Sequence, residues 1–194
     1  MSTQPKVRLT PEEYLEIERK AKYKSEYYAG EMFAMAGASE PHNMIITNIT
    51  SELRRQFKGR ACRNYSSDMR VRVEATDLFT YPDVVAMCEE PRFSDDHHDT
   101  LLNPTVIIEV LSPSTEAYDR GEKSWQYRQI ISLEEYILVA QDRYHLEHYT
   151  RQADGHWLLS ETVSLQDIIH LPSINCELAM AEIYDKVEIG REKG

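Results

Sequence analysis

The chain contains no apolar run near the roughly 18 residues that a membrane-spanning helix needs, and Met1–Lys6 has no apolar segment of the secretory kind. It has three cysteines, Cys62, Cys88 and Cys176, with no CxxC pair among them. That spacing predicts neither a disulfide framework nor a zinc site, and no cysteine stands beside a histidine as a thiol nucleophile would. GxGxxG, GxxxxGK[ST] and GxSxG are all absent, which removes nucleotide cradles and a nucleophile elbow from consideration. A cytoplasmic protein with no membrane partner is expected. Positive charge is also scarce. Against 33 Asp and Glu stand 22 Lys and Arg, a net charge of -11, which argues against a general polyanion binder.

At 194 residues the chain is read as one domain over 1–194, with its core at about 9–187. Thr10-Pro11-Glu12-Glu13 is a capping box with proline at the first helical position, so a helix should run to about Ala21. Tyr27 to Met35 reads as two short strands turning near Gly30. A second helix, from Ser39 to about Lys58, has the inward stripe His42, Ile46, Ile49, Leu53 and Phe57. Strands are expected around 61–65, 69–73, 83–87 and 105–111, then a third helix over 119–130. A hairpin at 136–149, a strand at 156–160 and a short closing helix at 179–187 follow. Helices interleaved with strands predict an α/β (α+β) domain built on a mixed sheet.

Within that pattern two carboxylates are out of place. Asp83 opens the apolar run Val84-Val85-Ala86-Met87, and Glu109 interrupts Val106-Ile107-Ile108-Glu109-Val110-Leu111. An ionised carboxylate in a strand covered on both faces is costly unless it is paired or bound to a metal. Two in neighbouring runs point to a hard divalent cation. Taken alone, each also fits a structural part: Asp83 as a turn cap, Glu109 as the partner of a buried arginine. Lys123 shares a helical face with Tyr127 and Ile130, so its ammonium should point inward, either to the carboxylates or simply snorkelling. His42 heads the inward stripe of the second helix. Glu31 follows a turn glycine, and only its company marks it out. His97, His98, His145, His148, His156 and His170 show no metal-ligand spacing, and 144–149 alternates as a surface strand does.

The charge is uneven. Between Arg54 and Arg72 stand seven Arg or Lys and one Asp. Arg54, Arg55, Lys58, Arg70 and Arg72 are therefore candidates to touch an anionic partner at one place; a solvated helix end and edge strand would look the same.

The ordered motifs Thr10-Pro11-Glu12-Glu13-Tyr14-Leu15, Gly30-Glu31, Met35-Ala36-Gly37-Ala38-Ser39, Pro41-His42-Asn43 and Tyr81-Pro82-Asp83-Val84-Val85 resemble a known family. So do Ile108-Glu109-Val110-Leu111-Ser112-Pro113-Ser114-Thr115, Tyr118-Asp119-Arg120-Gly121-Glu122-Lys123, Ser132-Leu133-Glu134-Glu135-Tyr136 and Glu182-Ile183-Tyr184. It is the prokaryotic "putative restriction endonuclease" family of the PD-(D/E)xK, restriction-endonuclease-like superfamily. The resemblance implies a mixed sheet flanked by helices with additional β-hairpins. It makes Asp83 the PD aspartate and Glu109 the acidic partner. It departs at Leu111, where the superfamily pattern has its lysine; the resemblance suggests that Lys123 of the next helix has taken that place.

The function so implied is Mg²⁺- or Mn²⁺-dependent hydrolysis of phosphodiesters in nucleic acid, with DNA as the favoured partner and a homodimer as the expected assembly. Asp83 and Glu109 hold the metal, Lys123 assists the attacking water, and Glu31 and His42 are outer members. Two other classes fit the same residues: a degenerate nuclease fold serving as a dimeric interaction module, and a metal-dependent hydrolase of small phosphate esters.

Overall fold

The computed structural model describes residues 8–190; the N-terminal stretch read above as lacking a secretory segment lies outside them. Thr10 caps α1 (Pro11–Glu18) reciprocally: its hydroxyl accepts from the Glu13 N–H, and the Glu13 carboxylate accepts from the Thr10 N–H. β1 (Ser25–Tyr28) and β2 (Glu31–Ala34) form a hairpin through Ala29 and Gly30, both at positive φ. At Gly30 a Cβ would come within 2.7 Å of the Arg8 side chain, so the turn requires glycine twice over. Ser39 caps α2 (Glu40–Gln56) by accepting from the His42 N–H.

The remaining strands are β3 (Arg63–Ser66), β4 (Arg70–Val73), β5 (Leu78–Thr80), β6 (Val84–Met87), β7 (Thr100–Leu101) and β8 (Val106–Leu111). After a helical stretch come β9 (Glu135–Ala140), β10 (Leu146–Arg151), β11 (Trp157–Thr162), β12 (Ile168–Leu171) and β13 (Cys176–Ala179). They build a six-stranded mixed sheet of order β11-β10-β9-β8-β6-β3, a five-stranded sheet of order β2-β1-β5-β4-β7, and the β12-β13 hairpin. The single mixed sheet expected from the sequence is thus two. The strands of the smaller sheet are two to four residues long, too short for their periodicity to announce a partner.

The six-stranded sheet is apolar on both faces because each face meets a different layer. Val106, Ile108 and Val110 of β8 pack beneath the α2 stripe of Ile45, Ile46, Ile49 and Leu53. Ile107 and Leu111 point the other way, into a cluster with Val85, Met87, Tyr127 and Tyr136. Alternation along β8 sends Glu109 to that second face. Fully burying one such aliphatic side chain stabilises by about 1.5–3 kcal/mol, so this double packing fixes β8 firmly.

Four expectations need correction. The third helix, α3, begins earlier than predicted and is not regular: α-turns at Glu116–Tyr118 and Ser124–Tyr127 flank a π-turn at Asp119–Lys123. β10 is no surface strand. It lies between β9 and β11, with Leu146, Glu147 and His148 buried. Cys62 and Cys88 are joined in a disulfide. They continue the β3–β6 register one step past Arg63↔Met87, an adjacency their separation of 26 in sequence conceals. The closing helix α4 is confined to Met180–Ile183.

Candidate active site

Asp83 and Glu109 come together because β6 and β8 run antiparallel. Val84 pairs with Ile108, so one step further the two acidic residues face each other. The Asp83 N–H donates to Glu109 Oε2 (3.3 Å), and the Val110 N–H donates to Asp83 Oδ2 (2.8 Å). His42, in the first turn of α2, places Nε2 3.1 Å from Asp83 Oδ1. Its other ring nitrogen, Nδ1, is buried without a hydrogen-bond partner.

Lys123 reaches the same place from α3. Its Nζ lies 2.9 Å from Glu109 Oε1, 3.2 Å from Glu26 Oε1 and 3.5 Å from Asp119 Oδ1. Tyr127, one turn on, donates to Glu109 Oε1 (2.7 Å). Glu26 is held in turn by the Thr80 hydroxyl and by Tyr118. Glu109 is 3 % exposed, Asp119 3 % and Lys123 5 %, while Asp83 and His42 lie nearer the surface. The cluster is therefore closed at the lysine end and reachable at the Asp83–His42 end.

Electrostatics follow from that burial. Burial pushes the Glu109 carboxyl well above the usual carboxylate range; Lys123 opposes the shift, and Asp83 and Asp119 reinforce it. Asp119 is raised for the same leading reason. Burial works against the Lys123 ammonium, yet Glu109, Tyr127, Glu26 and Asp119 outweigh it and hold the lysine protonated. Three carboxylates, Glu109, Glu26 and Asp119, thus share one ammonium, and Asp83 adjoins them through Glu109. Such a surplus of buried negative charge is what a divalent cation relieves, and the oxygen-rich donor set suits Mg²⁺ or Mn²⁺. Glu109 Oε2 and the two Asp83 oxygens each meet one partner and could also hold such a cation, whereas Oε1 already receives both Lys123 and Tyr127.

Of the residues expected from sequence, Asp83, Glu109, Lys123 and His42 meet directly. Glu31 stands opposite Tyr28 in the β1–β2 register, on the sheet face that also carries Glu26, one step further out. Glu26 and Asp119 gave no separate signal, although Asp119 lies four residues before Lys123, a spacing that puts both on one helical face. The basic stretch does not form one surface. Arg54, Arg55 and Lys58 cluster at the C-terminal end of α2, and Arg55 pairs with Glu52. Arg72 pairs with Asp77 over the Phe79 ring. Arg70 is 4 % exposed, bonded to Tyr81 and Asp99 and stacked over the Tyr14 and Tyr81 rings; its guanidinium faces the interior. Elsewhere His145, Glu147 and Glu161 bring ligand atoms within 4.8 Å of one another, a grouping that sequence spacing hides because β11 supplies Glu161. There Arg120 and Tyr149 already engage Glu147.

An aspartate at the start of β6 and a glutamate within the antiparallel β8, with a lysine delivered from the next helix, form the centre of this mixed α+β protein. The fold agrees with a crystal structure of a putative nuclease belonging to DUF820 from Anabaena variabilis: TM-score 0.74, 17% identity, covering 93% of this chain and 99% of that one. Residues 11–181 match the family model of Uma2, "Putative restriction endonuclease", and the chain belongs to that family. Its relatives include the uncharacterized protein sll1609 of Synechocystis sp., 40% identical over 153 residues, which are 79% of this chain and 86% of that one. Another is the uncharacterized protein slr1290 of the same organism, 35% identical over 182 residues, 93% of each chain. No helix among the described residues is long and apolar enough to cross a membrane.

Proposed function

We propose that the protein is a Mg²⁺- or Mn²⁺-dependent endonuclease acting on DNA. The observation that carries this reading is the meeting of Asp83 with Glu109, whose other oxygen shares the Lys123 ammonium with Glu26 and Asp119. A metal held by Asp83 and Glu109 supplies Lewis-acid polarisation of the scissile phosphate and a more acidic water. The chain's own residues do the positioning. His42 steadies Asp83 through Oδ1, while Tyr127 and Lys123 fix Glu109 through Oε1 and leave Oε2 turned toward Asp83. The Lys123 ammonium, kept charged by its carboxylates, offsets the negative charge that builds on the phosphoryl oxygens in the transition state. Glu26 and Asp119 hold that ammonium in place, and Glu31 lies on the approach along the β1–β2 face. Arg54, Arg55 and Lys58 would meet the phosphate backbone away from the scissile bond.

We also propose that two copies associate. β11 is the edge of the large sheet, and Leu158 and Leu159 on it are exposed, which leaves a strand able to pair with its equivalent. A catalytically silent interaction module is favoured by one observation: Lys123 is buried and fully paired already. Incubating linear and circular DNA with the protein and Mg²⁺ or Mn²⁺, with a chelator control, separates the two. Metal-dependent cleavage lost in Lys123→Ala supports the enzyme; no cleavage by the wild type supports the silent module.

A further inference from the structure

An open concavity of about 630 Å³ lies outside the carboxylate cluster and has two walls. One is β3, where Arg63 and Tyr65, two apart, share a strand face. The other is the tip of the loop joining β6 and β7, where the rings of Phe93 and His98 stack with centroids 4.8 Å apart and planes 16° from parallel. His98 adopts a left-handed backbone (φ 55), which turns its ring back over Phe93. The tip is fixed in place: Arg19 grips Asp95 (2.6 Å) and Asp99 (2.8 Å), and Ser94 and Thr100 are joined through their backbones.

The concavity is tied to the proposed site through β3. Ser67, just past the strand, donates its N–H to the Asp83 carbonyl (3.0 Å). Tyr65 stands two residues earlier, about 7 Å back along the strand at roughly 3.3 Å per residue. A separation of that order spans one or two nucleotides of a single strand. Its lining suits a base better than a phosphate. Glu90 and Asp96 would repel an anion, whereas carboxylates accept hydrogen bonds from the amino group of a nucleobase. The aromatic rings offer stacking surfaces that tolerate any base.

We infer that this concavity takes up an unpaired nucleobase bearing an exocyclic amino group, one or two positions from the phosphate under attack. The inference rests on the nuclease reading for its substrate and adds that the substrate must be unpaired beside the cleavage point. The test uses single-stranded DNA carrying 2-aminopurine, with a chelator present so that nothing is cut. Stacking should quench the fluorescence, and blunt duplex DNA should compete poorly. Phe93→Leu and Tyr65→Leu keep apolar bulk but remove the ring, and His98→Ala removes an exposed one. Each should raise the Kd for the single strand about tenfold or more, the scale of losing one base–aromatic stack, while the melting temperature stays near that of the wild type. Phe93→Trp should retain the quench. Unchanged Kd in folded Phe93→Leu and His98→Ala, or equal competition by blunt duplex, overturns the inference. Should the wild type cut DNA and those variants bind and cut as it does, the base site falls and the nuclease stands. Should the wild type quench through Phe93 yet cut nothing with Mg²⁺ or Mn²⁺, the base site stands and the nuclease falls.

Discussion

His42 Nε2 and Asp83 Oδ1 meet at 3.1 Å, joining the first turn of α2 to the start of β6 at the accessible end of the carboxylate cluster. This pairing fixes the orientation of Asp83 while its second oxygen accepts from the Val110 N–H. His42→Ala frees the aspartate to rotate. The affinity for Mn²⁺ should fall about 10–100-fold, the usual cost of losing a group that orients a ligand. A calorimetric titration of both proteins checks it; equal affinities would mean that His42 serves only packing.

Lys123 is the ammonium that Glu109, Glu26 and Asp119 share, so its removal has two separable consequences. Cleavage should fall about 10²-fold or more in Lys123→Ala, the scale of one electrostatic stabiliser. Without metal the protein should also lose about 3–5 kcal/mol, because buried carboxylates are left without their counter-charge. Denaturant unfolding with and without Mg²⁺ reads the second effect. The metal-induced stabilisation itself should survive, since lysine is not a ligand.

Glu26 is expected to act on that lysine alone. Glu26→Gln keeps the shape and the hydrogen bond from Thr80 but weakens the hold on Nζ. Its cleavage rate should drop while its Mn²⁺ affinity stays at the wild-type value. A parallel loss of metal affinity would make Glu26 a metal ligand instead.

Acid stability should depend on Arg19. Its guanidinium, bonded to Asp99, holds that carboxyl below the usual range, at about 2. A carboxyl depressed by folding contributes stability that is complete above its unfolded value of about 3.8 and is lost as pH falls toward 2. Arg19→Gln should lower stability at neutral pH and flatten its decline between about pH 4 and 2. Unfolding curves across that range report both changes, and an unaltered slope would contradict the pairing.

The basic residues divide by burial. Arg54→Ala with Arg55→Ala should flatten the salt dependence of DNA binding, by about 0.9 log units per decade for each phosphate no longer neutralised. Arg70→Ala should instead destabilise the fold, because that guanidinium is packed between Tyr14 and Tyr81. An unchanged salt slope in the double variant would make the α2 end an ordinary solvated surface.

Asp83 and Glu109 were legible in sequence because a carboxylate in an apolar strand is a local anomaly, visible without knowing which strands pair. Lys123 was legible through its helical phase with Tyr127 and Ile130. Glu26 was not, since a glutamate on a short half-buried strand is ordinary until the fold brings α3 over it. The two-sheet architecture was hidden for a related reason: strands of two to four residues carry too little alternation to reveal their partners. The fold divides the basic stretch in a way that counting charges does not reveal, because Arg70 turns inward. The Cys62–Cys88 pairing depended on β3–β6 register, which no spacing rule encodes.

The most direct measurement is the shift in melting temperature on adding Mg²⁺ or Mn²⁺ to the wild type and to Glu109→Gln. A cation held by Asp83 and Glu109 stabilises the folded state by mass action. The wild type should therefore melt higher with increasing metal, and Glu109→Gln should keep its fold but lose most of the shift. Equal shifts in the two proteins, or none in the wild type at millimolar metal, would contradict a metal site at Asp83 and Glu109.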